Sequence, residues 1–209
     1  NVSKHFGAVE ALKDVSLDVY PGEVVALAGD NGAGKSTVIK AISGVYSYEV
    51  GDIFLDGKRI AFSTPQEARE NGIETIYQDL ALADNLTVGA NIFLGREPMK
   101  KLFGFLPVID RQKMADVAQE TMKRLDFHLE RLDAPVAAFS GGQRQAVAIG
   151  RAMHWNARLV IMDEPTAALG VPEQRKVMSL IQSLKADGKG IIFISHNLRD
   201  IFEVADRIV

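Results

Sequence analysis

Eight consecutive residues, Gly29-Asp30-Asn31-Gly32-Ala33-Gly34-Lys35-Ser36, fit the pattern G-x-x-x-x-G-K-[ST]. The chemistry such a run performs is phosphate binding. Glycines let successive backbone N–H groups face an anion without Cβ clashes. A helix starting just after them adds the positive end of its dipole. Lys35 is placed to reach β- and γ-phosphates, Ser36 offers a hydroxyl to Mg²⁺, and Thr37 follows at the same helix start. A second constellation lies far along the chain. Leu159-Val160-Ile161-Met162 runs into Asp163-Glu164, four apolar residues ending in two carboxylates. A buried parallel strand ends at the ligand crevice of its sheet, so Asp163 is expected near a metal. Glu164 is then poised to orient or activate an attacking water. A strand followed by an acidic helix cap would read the same in isolation; the phosphate loop upstream favours the chemical reading.

The elements that must hold these residues are legible in outline. Val24 to Ala28 is apolar without alternation, as in a strand buried on both faces. A helix should follow from about Lys35, with Val38, Ile39 and Ile42 on one face. Upstream, Val15, Leu17 and Val19 alternate with polar residues and predict a half-buried strand, closed by a Pro21-Gly22 turn. Ile53 to Ile60 predicts a hairpin about Asp56-Gly57, Pro65 opens a short helix ending near Gly72, and Ile73 to Tyr77 is the next strand. From Leu80 to Gly150 the pattern changes, with no strong strand. Asp110 caps a helix carrying Met114, Val117, Ala118, Thr121, Met122 and Leu125 at helical spacing. Strands return at Leu159–Met162 and Ile191–Ile194, separated by a helix opened by Pro172 and ending near Gly188. The expected fold is α/β: a P-loop NTPase core with a mixed β-sheet and an inserted helical lobe. Residues 1–79 and 151–209 form the nucleotide-binding core and residues 80–150 the helical subdomain.

Ser140-Gly141-Gly142-Gln143 narrows the class. Locally, Ser140 and Gln143 form an S-x-x-Q capping box. Two glycines opening a helix are costly, however, and bare N–H groups at a positive helix end suit a phosphate. The run Phe139-Ser140-Gly141-Gly142-Gln143-Arg144-Gln145, shortly before the Asp163-Glu164 strand, resembles the signature motif of the ATP-binding cassette family, with Phe139 replacing the usual leucine. The resemblance covers nearly the whole chain. It implies that Gln78, in Ile76-Tyr77-Gln78-Asp79, is the Q-loop glutamine, which contacts Mg²⁺ and relays the state of the transport partner. It implies that His196, in Ile194-Ser195-His196-Asn197, is the switch histidine contacting the γ-phosphate, and that Phe6 is the aromatic stacking on adenine, where tyrosine is more usual. It implies that Ser140 to Gln143 act on the γ-phosphate of an opposite cassette. One departure is Ala167-Ala168-Leu169-Gly170, where the family usually has Ser-Ala-Leu-Asp. Lys35, Asp163, Glu164 and His196 remain, so hydrolysis is expected.

Several runs, among them Thr166-Ala167-Ala168-Leu169-Gly170 and Ile92-Phe93-Leu94-Gly95-Arg96-Glu97, are similar to the ATPases of bacterial monosaccharide importers of the ribose, xylose and fructose type. That resemblance implies ATP with Mg²⁺, a second cassette as homodimer or tandem copy, transmembrane permease subunits, and a peripheral position on the cytoplasmic face of the inner membrane. It implies no direct contact with cargo. Composition agrees. The 209 residues are 47% hydrophobic and 24% charged, enough for a core, and no apolar run approaches the ~18 residues of a membrane span. A net charge of −3 gives nucleic-acid binding no support, and zero cysteines exclude disulfides and thiolate metal sites. The competing classes are a soluble cassette ATPase acting in translation or DNA maintenance, and a module that holds ATP without hydrolysing it. Only 105 positions separate Lys35 from Ser140, too few for the long coiled coils of the DNA-maintenance type, and both Glu164 and His196 are present. The chain begins at Asn1 without Met and ends at Val209, as expected for one module of a longer polypeptide.

Overall fold

The computed structural model describes residues 1–30, 32–167 and 169–209. Its centre is a five-stranded sheet in the order β11-β3-β10-β9-β6. The strands are β3 (Val24–Leu27), β6 (Ile73–Ile76), β9 (Leu159–Asp163), β10 (Gly190–Ile194) and β11 (Arg207–Ile208), and every pairing among them is parallel. Antiparallel strands form three two-stranded units, β1 (Val2–Phe6) with β2 (Val9–Val15), β4 (Ile53–Leu55) with β5 (Lys58–Ile60), and β7 (Met99–Leu102) with β8 (Leu106–Ile109), and isolated antiparallel bridges join Ser3 to Val50 and Thr87 to Pro135.

The apolar runs are explained by covering on both faces. Val160, Met162, Ile191 and Phe193 point into one core, with the helices α5 (Gly141–His154), α6 (Val171–Ala186) and α7 (Leu198–Val204). Ile161, Ile192 and Ile194 alternate into a second core, against α1 (Lys35–Ile42) and α2 (Pro65–Glu70). The first core continues into α3 (Val88–Ile92) and α4 (Arg111–Arg124), where Val88, Ile92, Met114, Ala118 and Met122 are buried. Asp110 caps α4 as expected, accepting from Lys113 N, and at α2, opened by Pro65, Thr64 accepts from Glu67 N.

Two expectations are corrected. The strand expected over Val15–Val19 ends at Val15; Leu17 and Val19 still pack on the second core, but without strand pairing. The alternation there reports one-sided burial, which extended chain shares with a strand. Within 80–150, where no strong strand is expected, the structure has the β7–β8 hairpin. Met99, Leu102, Leu106 and Ile109 are all exposed, so no buried face imposes period-2 patterning, and Pro107 argues against a strand.

Candidate functional site

Parallel pairing puts the C-terminal ends of adjacent strands on one edge of the sheet. Here the ends are level: Ile194 is opposite both Leu27 and Asp163, and Ile76 is opposite Met162. The strand order β3-β10-β9-β6 therefore lines up four loops side by side. They carry the glycine-rich run, His196, Asp163-Glu164 and Gln78. A cleft of about 910 Å³ opens there, bounded by residues that include Gly32 to Thr37, Gln78, Asp163, Glu164 and His196.

The loop after β3 is held in shape by its own groups. Lys35 Nζ donates to Gly29 O at 2.6 Å and to Asp30 O at 2.9 Å. Gly34, at the N-cap of α1, has φ of 92°, and a Cβ there would stand 2.9 Å from Ala11 O. Conformation and space both demand glycine. The last glycine of the motif thus lets β2 lie against the loop, and Glu10, Leu12 and Lys13 of β2 form one wall of the cleft. Asn31, read as part of the loop, lies outside the described residues.

Asp163 ends β9 half-buried, and its carboxyl is held above the usual range. Burial is the main cause, the charge of Glu164 adds to it, and Lys40 and Lys35 oppose it. Glu164 stands at φ of 52°, an uncommon conformation for a non-glycine residue, anchored by its N–H to Ile194 O at 2.9 Å. Its Oε2 lies 2.8 Å from His196 Nδ1. This oxygen is buried and, though close to the imidazole, has no hydrogen-bond partner among the described residues. The Glu164 side chain is 16% exposed and that of His196 76%: the carboxylate is sheltered while the histidine faces open solvent.

These donors fit Mg²⁺ with a nucleotide. Among the described residues no group of three or more His, Cys, Asp or Glu converges into an all-protein cage. A hydroxyl (Ser36), a carboxylate whose charge is disfavoured by burial (Asp163) and an amide (Gln78) line the same cleft, a donor set that suits a cation bound chiefly through phosphate oxygens and water.

The signature segment stands apart from Lys35. Ser140 Oγ accepts from Gln143 N at 3.3 Å, and Gln143 Oε1 accepts from Ser140 N at 2.9 Å, so the capping box is real. None of Ser140 to Gln143 borders the cleft containing Lys35. Gly141 instead borders a smaller cleft of about 180 Å³, whose walls include Gln78, Glu164, Ala167 and Leu169. Gln78 and Glu164 border both clefts. Phe6 is outside them too: it is 44% exposed and meets the Tyr46 ring edge-on at 5.1 Å. Of the segment 167–170, Ala168 lies outside the described residues.

Sequence reasoning missed Glu173. Its Cγ lies 2.7 Å from where a Gly142 Cβ would stand, and its Oε2 lies 2.9 Å from where a Gly170 Cβ would stand. One carboxylate side chain thus fills the space left by a signature glycine and by the glycine that starts α6. Asp200 was missed as well: it accepts from Thr166 Oγ1 at 2.7 Å, both residues buried, tying the segment after Glu164 to the helix after His196. Neither belongs to a local motif, so only the tertiary contact identifies them.

Comparison with known proteins is unambiguous. Residues 12–167 match the family model described as ABC transporter. The xylose/arabinose import ATP-binding protein of Sulfolobus acidocaldarius is 49% identical over 208 residues, covering 100% of this chain and 81% of that protein. The fructose import ATP-binding protein of Rhizobium meliloti is 48% identical, covering 98% and 80%. A ribose import ATP-binding protein of Streptomyces coelicolor is 43% identical over all of this chain but only 40% of its own length. Among solved structures, a nucleotide-free ATP-binding cassette from an ABC transporter superposes with a TM-score of 0.85 at 30% identity, covering 100% of this chain and 84% of that one. A dimeric cassette in a post-hydrolysis state with ADP and Pi superposes with a TM-score of 0.81 at 27% identity, covering 100% and 91%.

Proposed function

The chain belongs to the ABC transporter family and is an ATP-binding, ATP-hydrolysing cassette, and from that premise we propose that it is the motor of a monosaccharide importer. The sugar assignment rests on the relatives, whose names specify import of xylose or arabinose, fructose and ribose. The single observation that carries the ATPase reading is the alignment of Lys35, Gln78, Asp163, Glu164 and His196 along one cleft at level strand ends.

The division of labour follows from the geometry. Gly29 to Gly34 cradle phosphates through backbone N–H groups, with Asn31 part of that run, and Lys35 exchanges its two carbonyl partners for phosphate oxygens. Ser36, Asp163 and Gln78 would hold Mg²⁺, with Thr37 beside them. When bound, that ion supplies charge neutralisation across the phosphates. Glu164 orients water and receives its proton on its carboxylate, whose Oε2 lies beside His196. His196, within 2.8 Å of that oxygen, faces the γ-phosphate from the open side. Phe6 stacks on adenine from the β1–β2 turn; this requires its ring to leave Tyr46 or to carry Tyr46 with it.

The remaining roles lie between chains. Residues 1–79 and 151–209 act as the nucleotide core and 80–150 as a helical unit, with α5 running across the second boundary. Ser140 to Gln143, away from Lys35 in their own chain, serve the phosphates of a second cassette. A permease subunit docks in the groove of about 480 Å³ where Tyr77 and Ala81 face Arg96 and Trp155. Leu80 and Ala81, in that stretch, are both held at positive φ, 61° and 44°, strain that suits a segment which moves. Among the described residues no helix is long and apolar enough to cross a membrane; a motor that borrows its permease's span sits peripherally, on the cytoplasmic face.

Glu164→Gln tests the reading. It keeps shape and hydrogen-bonding reach but removes the proton acceptor. Hydrolysis should fall at least a hundredfold, the range for loss of a general base, while Mg·ATP affinity stays within a few-fold. Turnover close to wild type would overturn the role of Glu164.

A further inference from the structure

We propose that the β7–β8 hairpin is a membrane-surface anchor, which seats its aromatic tip among the headgroups of an anionic bilayer. The tip is Leu102-Phe103-Gly104-Phe105-Leu106. Phe103 is 82% exposed and Phe105 77%, and Met99, Leu102, Leu106 and Ile109 are exposed behind them. Apolar side chains gathered on one small protrusion are not the scattered surface residues of an ordinary fold.

The turn itself costs conformational energy. Phe103 and Gly104 both have positive φ, 53° and 81°, and the turn is closed by Phe105 N donating to Leu102 O at 3.3 Å. Bulky residues rarely adopt that region. Here the conformation holds a large ring outward, where it makes no core contact.

Charge selects the occupant. Residues 98–109 contain Lys100 and Lys101 and no carboxylate, on a chain whose net charge is −3. Lys100 is 3.5 Å from Asp110 at the base, and Lys101 has no ion-pair partner among the described residues. Aromatic residues at a tip with lysines at the neck match an interface in which rings enter the headgroup layer and ammonium groups meet lipid phosphates. Strands of this length span roughly 13 Å, enough to reach the ~5–10 Å depth of the headgroup–acyl boundary. The tip is convex, so it needs a yielding surface more than a shaped pocket. Pairing with a second copy would bring two lysine pairs together.

The proposal uses the importer reading only for the nearness of a membrane, and the two can fail separately. ATP hydrolysis in solution reports the cassette; vesicle binding reports the hairpin. The purified chain is sedimented with vesicles of phosphatidylglycerol mixed with phosphatidylcholine, and with phosphatidylcholine alone. Binding to the anionic vesicles is expected, weakening as salt is raised. Phe103→Ser with Phe105→Ser should lower the partition coefficient at least tenfold. Lys100→Gln with Lys101→Gln should bring anionic binding down to the phosphatidylcholine level. Both double variants should keep wild-type ATPase, which shows that they fold. Absence of wild-type binding, equal binding by the variants, or self-association through the tip without lipid would each overturn the proposal. So would tip-dependent binding to permease protein in detergent with none to vesicles.

Discussion

Gly142 sets two expectations against each other. It is the second residue of α5, where helix propensity favours alanine by about 1 kcal/mol. Yet a Cβ there would stand 2.7 Å from Glu173 Cγ and 3.0 Å from Glu173 Cβ. Overpacking of that kind costs roughly 1–3 kcal/mol, and the atoms that must yield lie close to the α6 backbone. Gly142→Ala should therefore lower ATPase activity at least tenfold by tilting the signature turn. Glu173→Ala alone should have a small effect. The double variant should return to within about threefold of the Glu173→Ala rate, because the neighbour that needed the space is gone. Steady-state hydrolysis of the four proteins checks this; a double variant as impaired as Gly142→Ala would mean that the space serves the nucleotide or the opposing cassette instead. The chemistry-bearing residues themselves were legible because phosphate binding imposes a fixed local spacing on Gly29 to Ser36. Glu173 was not, since nothing local distinguishes it from any other acidic residue in a first helical turn.

Between elements, the notable contact is the buried pair of Glu74 on β6 and Arg151 on α5, 4.0 Å apart. Arg151 Nη1 also donates to Ala81 O at 3.3 Å, so one side chain joins the signature helix to a sheet strand and to the segment after Gln78. Burial pushes the Glu74 carboxyl up and the Arg151 guanidinium down, and each is pulled back by the other. Breaking a buried pair typically costs more than replacing it whole. Arg151→Met should destabilise by about 3–5 kcal/mol, and Glu74→Met combined with Arg151→Met should recover most of that loss. The single variant should also become more sensitive to pH than the wild type, because Arg151 no longer opposes the burial of Glu74. A carboxyl whose folded pKa lies above its unfolded value is favoured in the fold while protonated, so stability falls as pH rises from the unfolded value through the folded one. Urea denaturation at several pH values reads both effects; a flat pH response in Arg151→Met would refute the coupling. The helices were predictable wherever burial imposed a period, and the strands buried on both faces by their unbroken apolar runs. The β7–β8 hairpin escaped because its strands bury no face, and Val15–Val19 misled because one-sided packing alone generates alternation.

For the molecule as a whole, Ser140 to Gln143 lie outside the cleft that holds Lys35, the arrangement expected if each proposed site is shared between two chains. A Lys35→Ala chain paired with a Gly141→Asp chain tests this. If sites form between chains, one of the two in the heterodimer carries both lesions and the other carries none. The mixture should then hydrolyse ATP at up to about half the wild-type rate per heterodimer, with each variant alone near background. An ATP-bound structure with Ser140 against the phosphate held by its own chain's Lys35 would refute the arrangement. The fold class could be read from the two-faced apolar strands and the phosphate loop. The strand order could not, because β10 enters between β3 and β9 by pairings that link residues 24–27 with 190–194, and apolar strands carry no label for their neighbours.

That insertion has a consequence for how the protein is made. β10 occupies the middle of the sheet, yet it leaves the ribosome after β3, β6 and β9. Until residues 190–194 emerge, the phosphate loop has no strand on that side and His196 does not yet exist beside Glu164. Long-range parallel pairing is slow and leaves apolar edges open while it waits. Nucleotide binding is thus expected late in synthesis: a chain that stops between α1 and β10 carries every phosphate-loop residue but lacks the central strand that pairs with β3.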